Sequence, residues 1–283
     1  MAGRLFVVST PIGNLEDITL RAVRVLSEVD LIACEDTRHT RKLLNHYGIK
    51  TRTVSYHEHN ERERAAELVT ELRNGSEIAL VSDAGTPGVS DPGFRLVGLA
   101  IEAGLKVVTV PGPTAFVAAL AASGLPTDEF LFAGFLPPRS SARRSALERL
   151  AAVPATVIFY EAPHRIVQTL KDTREVFGER TAVVARELTK IHEEFLRGTL
   201  GELMEHFNTP NAARGELVVM VDRTPIVEPD EKSSESVASL VAAFEKEGLT
   251  SRAALKQAAR KLRISRDDAY RKLVADRKSR STH

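Results

Sequence analysis

VSDAGTPGVSDPG, residues 81–93, is the stretch on which the reading of this chain turns. It closes the apolar run 78–81 and puts three glycines, two prolines and two Ser-Asp pairs into thirteen residues. Glycine lets a main chain approach closely and turn left-handed, and proline fixes the shape of a loop. A segment so built at the end of a buried strand is a loop made to hold something.

Outward from it, the run 78–81 is one of four short β-branched or apolar runs, with 5–8, 31–33 and 107–110. Helical patterns such as 61–73 and 94–103 lie between them. That βαβ rhythm predicts a largely parallel sheet with helices on both faces. Ligands of such sheets sit beyond the carboxyl ends of the strands. Two more loops fall on the same edge, STPIGN at residues 9–14 and PGPT at residues 111–114. After a short join at 123–130, strands are expected at 130–132, 156–160, 182–185 and 217–221, with helices at 141–150 and 166–177. The fold class is therefore α/β, with one α/β domain over residues 1–123 and a second over 124–223.

A linker is expected at 224–235, where TPIVEPDEKSSES brings two prolines and four acidic residues. A small helical domain follows over 236–283. Val237, Leu240, Val241 and Phe244 fall at helical spacing, as do Leu255, Ala258, Ala259 and Leu262. Ser265 with Asp268 looks like the capping start of a third helix, RDDAYRKLVADR. From residue 250 onward there are eleven Lys and Arg against three acidic residues, while the preceding residues hold 28 basic and 35 acidic ones. A mildly acidic body thus carries a basic end. Helix-turn-helix-like binding to a nucleic acid and a merely solvated, packing bundle both fit that pattern.

Composition excludes several classes. The 283 residues, 43% hydrophobic and 27% charged, contain no apolar run near the roughly 20 residues of a membrane span. The LFVV stretch is too short for a signal-peptide core, so a cytoplasmic protein is expected. Cys34 is the only cysteine, which removes internal disulfides and multi-cysteine metal sites. No Gly-Lys-Ser/Thr occurs, so 81–93 is not a nucleotide phosphate loop. No two of the 17 glycines are one residue apart, so the Rossmann fingerprint is missing too. His57-Glu58-His59 lacks the companions of a metal site, and no metal is expected. What remains is a polar small molecule bound by bare main chain.

STPIGNLEDITLRA, ACEDTRHT, SDAGTPGVSDPG, VPGPTAF and FYEAPHRI in succession resemble the tetrapyrrole-methylase-type (class III) S-adenosylmethionine-dependent methyltransferases. Within these the chain most resembles the branch that methylates a cytidine ribose 2′-hydroxyl in small-subunit (16S) ribosomal RNA. The similarity spans roughly residues 3–223, and the basic helical end resembles that branch as well. It implies a two-domain α/β body with the cofactor in the cleft between the domains, and a homodimer. It implies cofactor contacts at Pro11, at Asp83, Ala84 and Gly85 with Val89, at Thr114 and Ala115, and at Tyr160 and Glu161. Ser-Asp-Ala-Gly stands where the corrin and porphyrin branch has Gly-Gly-Asp-Pro, which sets this chain apart from that branch.

The sulfonium methyl group is already activated, so positioning should dominate, with a base or acceptor near the hydroxyl. Polar clusters at predicted strand ends supply candidates for catalysis, Glu35 in CEDTR and Glu187 and Lys190 in ARELTK. Arg38, His57 and Asn60, with Arg139, Arg143 and Arg144 of PPRSSARRSALER, are candidates for contact with RNA. Each cluster also fits a structural ion pair. The expected partner is small-subunit ribosomal RNA or the assembled small subunit, with no membrane. With aromatics at 5% and no tryptophan, readout by shape is expected over stacking. Two other readings remain, a same-fold enzyme acting on a small molecule or protein, and a ligand-sensing nucleic-acid-binding regulator.

Overall fold

Strands β1 (Arg4–Val8), β2 (Leu31–Cys34), β3 (Thr53–Ser55), β4 (Ile78–Val81) and β5 (Lys106–Val110) form the first sheet, in the order β3-β2-β4-β1-β5. All four pairings are parallel. β2 and β4 are buried along their whole length, which is why both read as unbroken apolar runs. Helices α1 (Leu20–Glu28) and α2 (Thr37–His46) cover one face through Ala22, Val25, Leu26 and Leu44. Helices α3 (Glu61–Arg73) and α4 (Phe94–Glu102) cover the other through Leu68, Leu72, Leu96 and Ala100. The chain passes from β1 to β2 across β4, and from β4 to β5 in the opposite direction across β1. The loops leaving β1, β4 and β5 are therefore neighbours at a switch of direction, where ligands of open α/β sheets bind.

This computed structural model describes residues 2–210, 212–225, 237–262, 265 and 268–273. They divide into two compact units, before and after residue 226. The first unit contains a second, mixed sheet ordered β6-β7-β10-β8-β9. Its strands are β6 (Phe130–Phe135), β7 (Thr156–Glu161), β8 (Arg180–Arg186), β9 (Glu194–Thr199) and β10 (Leu217–Pro225). Both faces of its central strands are apolar. Val157, Phe159, Val184 and Val219 face helices α6 (Ser140–Ala151), α7 (Ile166–Phe177) and α8 (Leu200–Phe207). The alternate residues Ile158, Val183, Ala185, Val218 and Met220 face α5 (Ala115–Ser123). Helix α5 leaves the first sheet and packs on the second, so it is the shared wall of the two lobes.

The second unit consists of α9 (Val237–Lys246), α10 (Ser251–Lys261) and a helical turn at 268–273 around a core of Val237, Leu240, Val241, Leu255, Ala258 and Leu273. The apolar stripes read from sequence are thus the ones buried. Ser265 Oγ accepts the Asp268 N–H at 3.1 Å and donates to its carboxylate at 2.6 Å, the expected helix start. Of the expected linker only residues 224–225, in β10, are described, and the rest of RDDAYRKLVADR beyond 268–273 lies outside the described residues.

Candidate active site

The three loops are knotted together at the carboxyl edge of the first sheet. Thr10 and Gly85 exchange backbone hydrogen bonds, 2.8 Å from the Thr10 N–H and 3.0 Å from the Gly85 N–H. Ser9, Thr86 and Thr114 form a hydroxyl chain, 2.9 Å between the first pair and 2.8 Å between the second. Gly85 sits at φ +82°, and a Cβ there would lie 3.5 Å from Ile12 Cγ2. The glycine thus supplies the left-handed turn and keeps the wall thin.

A cavity of about 350 Å³ opens between this edge and the second sheet, within the range of small-molecule sites. Ala84, Gly85, Val89, Thr114 and Ala115 line it from the first lobe, with Ile12, Thr86, Ser90 and Asp91. Tyr160 and Glu161 at the end of β7 line it from the second, with Phe135, Leu188, Gly215 and Glu216. Pro11 and Asp83 are not part of the lining. Pro11 is buried beside Ile12. The Asp83 carboxylate instead accepts the Asp36 N–H at 3.1 Å, tying the β4 loop to the β2 loop.

Three carboxyl groups, Glu35, Asp83 and Asp91, come from two adjacent strand ends and affect one another. Burial, followed by the charges of Glu35 and Asp83, pushes Asp91 up to about 7. Burial and then Asp83 raise Glu35 as well, opposed by His57. Glu161 is buried and held: Thr169 Oγ1 donates to it at 2.6 Å, the Ala162 N–H at 2.7 Å, and Arg165 pairs with it at 3.2 Å. That carboxylate fixes the end of β7.

Glu187 and Lys190 do not line the cavity. Glu187 Oε1 accepts from Lys190 Nζ at 3.0 Å and from the Glu216 N–H at 3.0 Å, and Lys190 also pairs with Glu216 at 3.2 Å. The Lys190 hydrogen bond and then the Glu216 N–H hold Glu187 below the usual carboxylate range. Burial pulls Lys190 down, but its two carboxylate partners outweigh that and raise it. One is a weak base and the other a retained cation, so their geometry corrects the expectation of a base here: they clamp the 187–190 loop to residues 215–216, and Leu188, Gly215 and Glu216 reach the cavity. Gly215 has φ +71°, and a Cβ on it would fall 2.3 Å from Glu187 Oε1, so this clamp requires glycine.

The residues expected to meet RNA separate into exposed and internal ones. Arg38 is exposed and pairs with Asp36 at 3.0 Å; its hydrogen bonds hold that carboxyl down at about 2. Arg139 is exposed just before α6. Arg144 is half-exposed, paired with Asp172 at 3.0 Å and Glu175 at 2.6 Å. Asn60 is turned inward to the loop, accepting the His57 N–H at 2.9 Å and donating to Ser55 O at 3.2 Å. His57 is half-buried, and among the described residues its Nδ1 has no hydrogen-bond partner. Arg143 is 2% exposed and closed against Asp172, Nη2 at 2.6 Å and Nε at 2.7 Å. Its guanidinium is spent inside the α6–α7 contact, which corrects the expectation that it faces RNA.

Phe135, Asp91 and Glu216 are among the site residues that sequence reasoning did not select. Asp91 lies in the opening loop, where nothing local distinguishes it from Asp83. Glu216 precedes β10, which runs antiparallel to β7 with Leu217 opposite Glu161. Its arrival at the cavity depends on a strand direction that local sequence does not encode. Gly215, one residue short of the apolar run from Leu217, was the available signal.

Fold and cavity together define a two-lobed α/β protein with a cavity of small-molecule size between the loops of one sheet and the strand ends of the other. The model of the tetrapyrrole (corrin/porphyrin) methylases matches residues 4–204, and the chain belongs to that family of S-adenosylmethionine-dependent methyltransferases. It is 55% identical over 218 residues to the ribosomal RNA small subunit methyltransferase I of Mesorhizobium japonicum, covering 77% of this chain and 74% of that one. It is 48% identical over 271 residues to the protein of the same name from Halalkalibacterium halodurans, covering 95% and 93%. A solved structure of uroporphyrin-III C-methyltransferase from Thermus thermophilus, complexed with S-adenyl homocysteine, shares the fold at a TM-score of 0.56 and 20% identity. The match covers 78% of this chain and 98% of that one.

Proposed function

We propose that this protein transfers the methyl group of S-adenosylmethionine to the ribose 2′-hydroxyl of a cytidine in small-subunit ribosomal RNA. The observation that carries the reading is the cavity itself, walled by the backbone of 84–86 and 114–115 and closed by β7, in a chain so similar over 271 residues to relatives named for that RNA. When bound, the cofactor supplies an activated methyl group. The chain's residues orient it: Gly85 offers a close main-chain approach, Thr86 and Thr114 fix the loops, and Tyr160 closes the far wall.

Exposed cations support the RNA reading. Arg38 and Arg139 stand on the body, and Arg252, Lys256, Arg260, Arg271 and Lys272 on the helical end, where phosphate contacts would be salt-sensitive. Phe135 adds an exposed ring at the mouth, 5.5 Å from the Tyr160 ring, suited to stacking an unpaired base. A homodimer is part of the same reading: Phe94 and Ile101 lie seven residues apart on the outward face of α4, 86% and 62% exposed. Among the described residues no helix is long and apolar enough to cross a membrane, as a cytoplasmic RNA enzyme requires. The test is incubation with methyl-labelled cofactor and small subunits from cells lacking the protein, followed by mapping of 2′-O-methylation. Label at one cytidine ribose is the expected result, and unlabelled RNA overturns the reading.

A further inference from the structure

A ribose hydroxyl must lose its proton as it attacks, and the cavity offers four titratable side chains to receive it: Asp91, Tyr160, Glu161 and Glu216. Glu161 is 2% exposed, hydrogen-bonded by Thr169 and the Ala162 N–H and paired with the Arg165 guanidinium, so it is held as a structural carboxylate. Burial raises the Tyr160 phenol further above its ordinary range, so it stays protonated. Glu216 is 76% exposed at its side chain and paired with Lys190. Asp91 differs from all three. It is half-buried in the wall, and no Lys or Arg among the described residues forms an ion pair with it.

The loop also aims it. Ser90 has φ +63°, a left-handed backbone unusual for a residue with a side chain. Its hydroxyl sits where a Cβ on Gly134 of β6 would be 3.1 Å away, so β6 comes close to this turn at a bare glycine. A strained residue held by packing next to a cavity carboxylate is a device for fixing that carboxylate. Resting on the methyltransferase reading above, we propose that Asp91 is the general base, accepting the proton of the substrate hydroxyl as that oxygen displaces the methyl group. The O–H bond breaks and an O–CH3 bond forms. The C–S bond breaks with its electron pair left on sulfur, giving S-adenosylhomocysteine, and the proton passes from Asp91 to water.

Burial first, and then the carboxylates around it, give Asp91 the proton affinity the task needs. Glu35 arrives from the β2 loop and Asp83 from the β4 loop, both acting on Asp91, while Tyr160 faces it from β7. A base that titrates near the working pH is the most effective one. Glu35 is then a positioning residue that acts through Asp91.

The test uses the full chain, wild type, D91N and D91E, in single-turnover transfer to unmodified small subunits across about pH 5.5–9, with S-adenosylhomocysteine affinity and thermal melting measured on each. Wild-type rate should climb tenfold per pH unit and level off above about 7, and the carboxyl band lost in D91N should titrate at the same midpoint in infrared difference spectra of the free protein. D91N should lose roughly 10²–10⁴-fold in rate together with the inflection, with cofactor-product affinity within about threefold of wild type, and D91E should recover part of the rate. A D91N rate within about threefold of wild type, an inflection that survives in D91N, or a rate loss matched by lost affinity overturns the assignment. Wild-type protein that labels no RNA instead overturns the methyltransferase reading on which it rests, and the two failures are told apart by the wild-type lane.

Discussion

Arg143→Met separates a structural arginine from an RNA contact. Methionine keeps most of the stem volume and removes the guanidinium from a carboxylate with no exposed side-chain surface. Asp172 then loses two donors, at 2.6 and 2.7 Å, and keeps Arg144 Nε at 3.0 Å, Ser140 Oγ at 3.0 Å and Gln168 Nε2 at 3.2 Å. Breaking a buried pair from one side costs about 3–5 kcal/mol, and the three surviving donors put this case at the low end, about 3 kcal/mol. For a body of this size that is a fall in Tm of roughly 6–12 °C. Arg144→Met is the control: its side chain is 43% exposed, so a loss of no more than about 1 kcal/mol is expected.

The acid limb provides a second reading of the same pair. Burial favours the neutral form of Asp172, but hydrogen bonds from Arg143, Arg144 and Ser140 outweigh it and hold the carboxyl below its ordinary range. A folded-state value below the unfolded one stabilises the protein above about pH 3.9 and loses that contribution as pH falls through the folded value. The gap between wild type and Arg143→Met therefore narrows toward pH 4 and below. Thermal melts and the salt dependence of small-subunit binding are measured together. A Tm change under about 2 °C combined with a salt slope smaller by about one unit would place Arg143 on the RNA instead and refute the reasoning.

Cys34 is fully buried, with burial the main cause of its raised thiol pKa, so a disulfide reagent should leave the native protein unmodified near pH 8 and react once β2 unfolds; rapid native labelling would contradict this. Gly215→Ala should strain the left-handed turn by about 1–2 kcal/mol and push Glu187 off Lys190, weakening S-adenosylhomocysteine binding by roughly tenfold in equilibrium dialysis. Unchanged affinity would show that the 187–190 loop moves without disturbing the cavity. Deleting residues 230–283 should leave cofactor affinity intact while small-subunit affinity drops and its salt slope shrinks. Equal methylation by the truncated and intact chains would remove any role for the basic end.

Buried elements were legible because burial imposes a pattern. β4 was expected at its observed bounds, and the expected 61–73 and 166–177 helices coincide with α3 and α7. β3 and β9 were not expected, and both are edge strands. β3 has only three half-buried residues, TVS, and β9 contributes a glycine and an exposed arginine, Arg197. β3 is short and only half-buried and β9 is broken by its exposed arginine, so neither carries the continuous apolar run that marks a central strand. No helix was read over Ala115–Ser123 for the opposite reason. AFVAALAAS is apolar all round, its exposed positions Val117, Ala118, Ala121 and Ala122 included, and a helix without a polar face has no 3.6-residue period to detect.

The same distinction governs the site. Glycine and proline mark, in the local sequence, three loops at one sheet edge, while residues 84, 85, 89, 114 and 115 were expected from the family resemblance, and the structure places all five in the cavity lining. Charges carry no such mark. Arg143 and Arg139 look alike on a polar stretch, yet one is buried on an aspartate 29 residues away and the other is exposed. Asp83 and Asp91 occupy near-identical Ser-Asp contexts in one loop, and what separates them is a neighbour from another strand: the Asp36 N–H engages Asp83, while Asp91 is left in the cavity wall beside Glu35. The proton affinity of Asp91 is thus set first by its burial and then by the two carboxylates, Glu35 and Asp83, that the order β2-β4 in the sheet gathers near it. If that order is what matters, Glu35→Gln should lower the midpoint of the Asp91 titration without touching the cavity wall, since removing one negative neighbour eases ionisation. An infrared midpoint that stays at about 7 in Glu35→Gln would mean that burial alone sets it, and that the neighbouring strand end contributes shape and no charge.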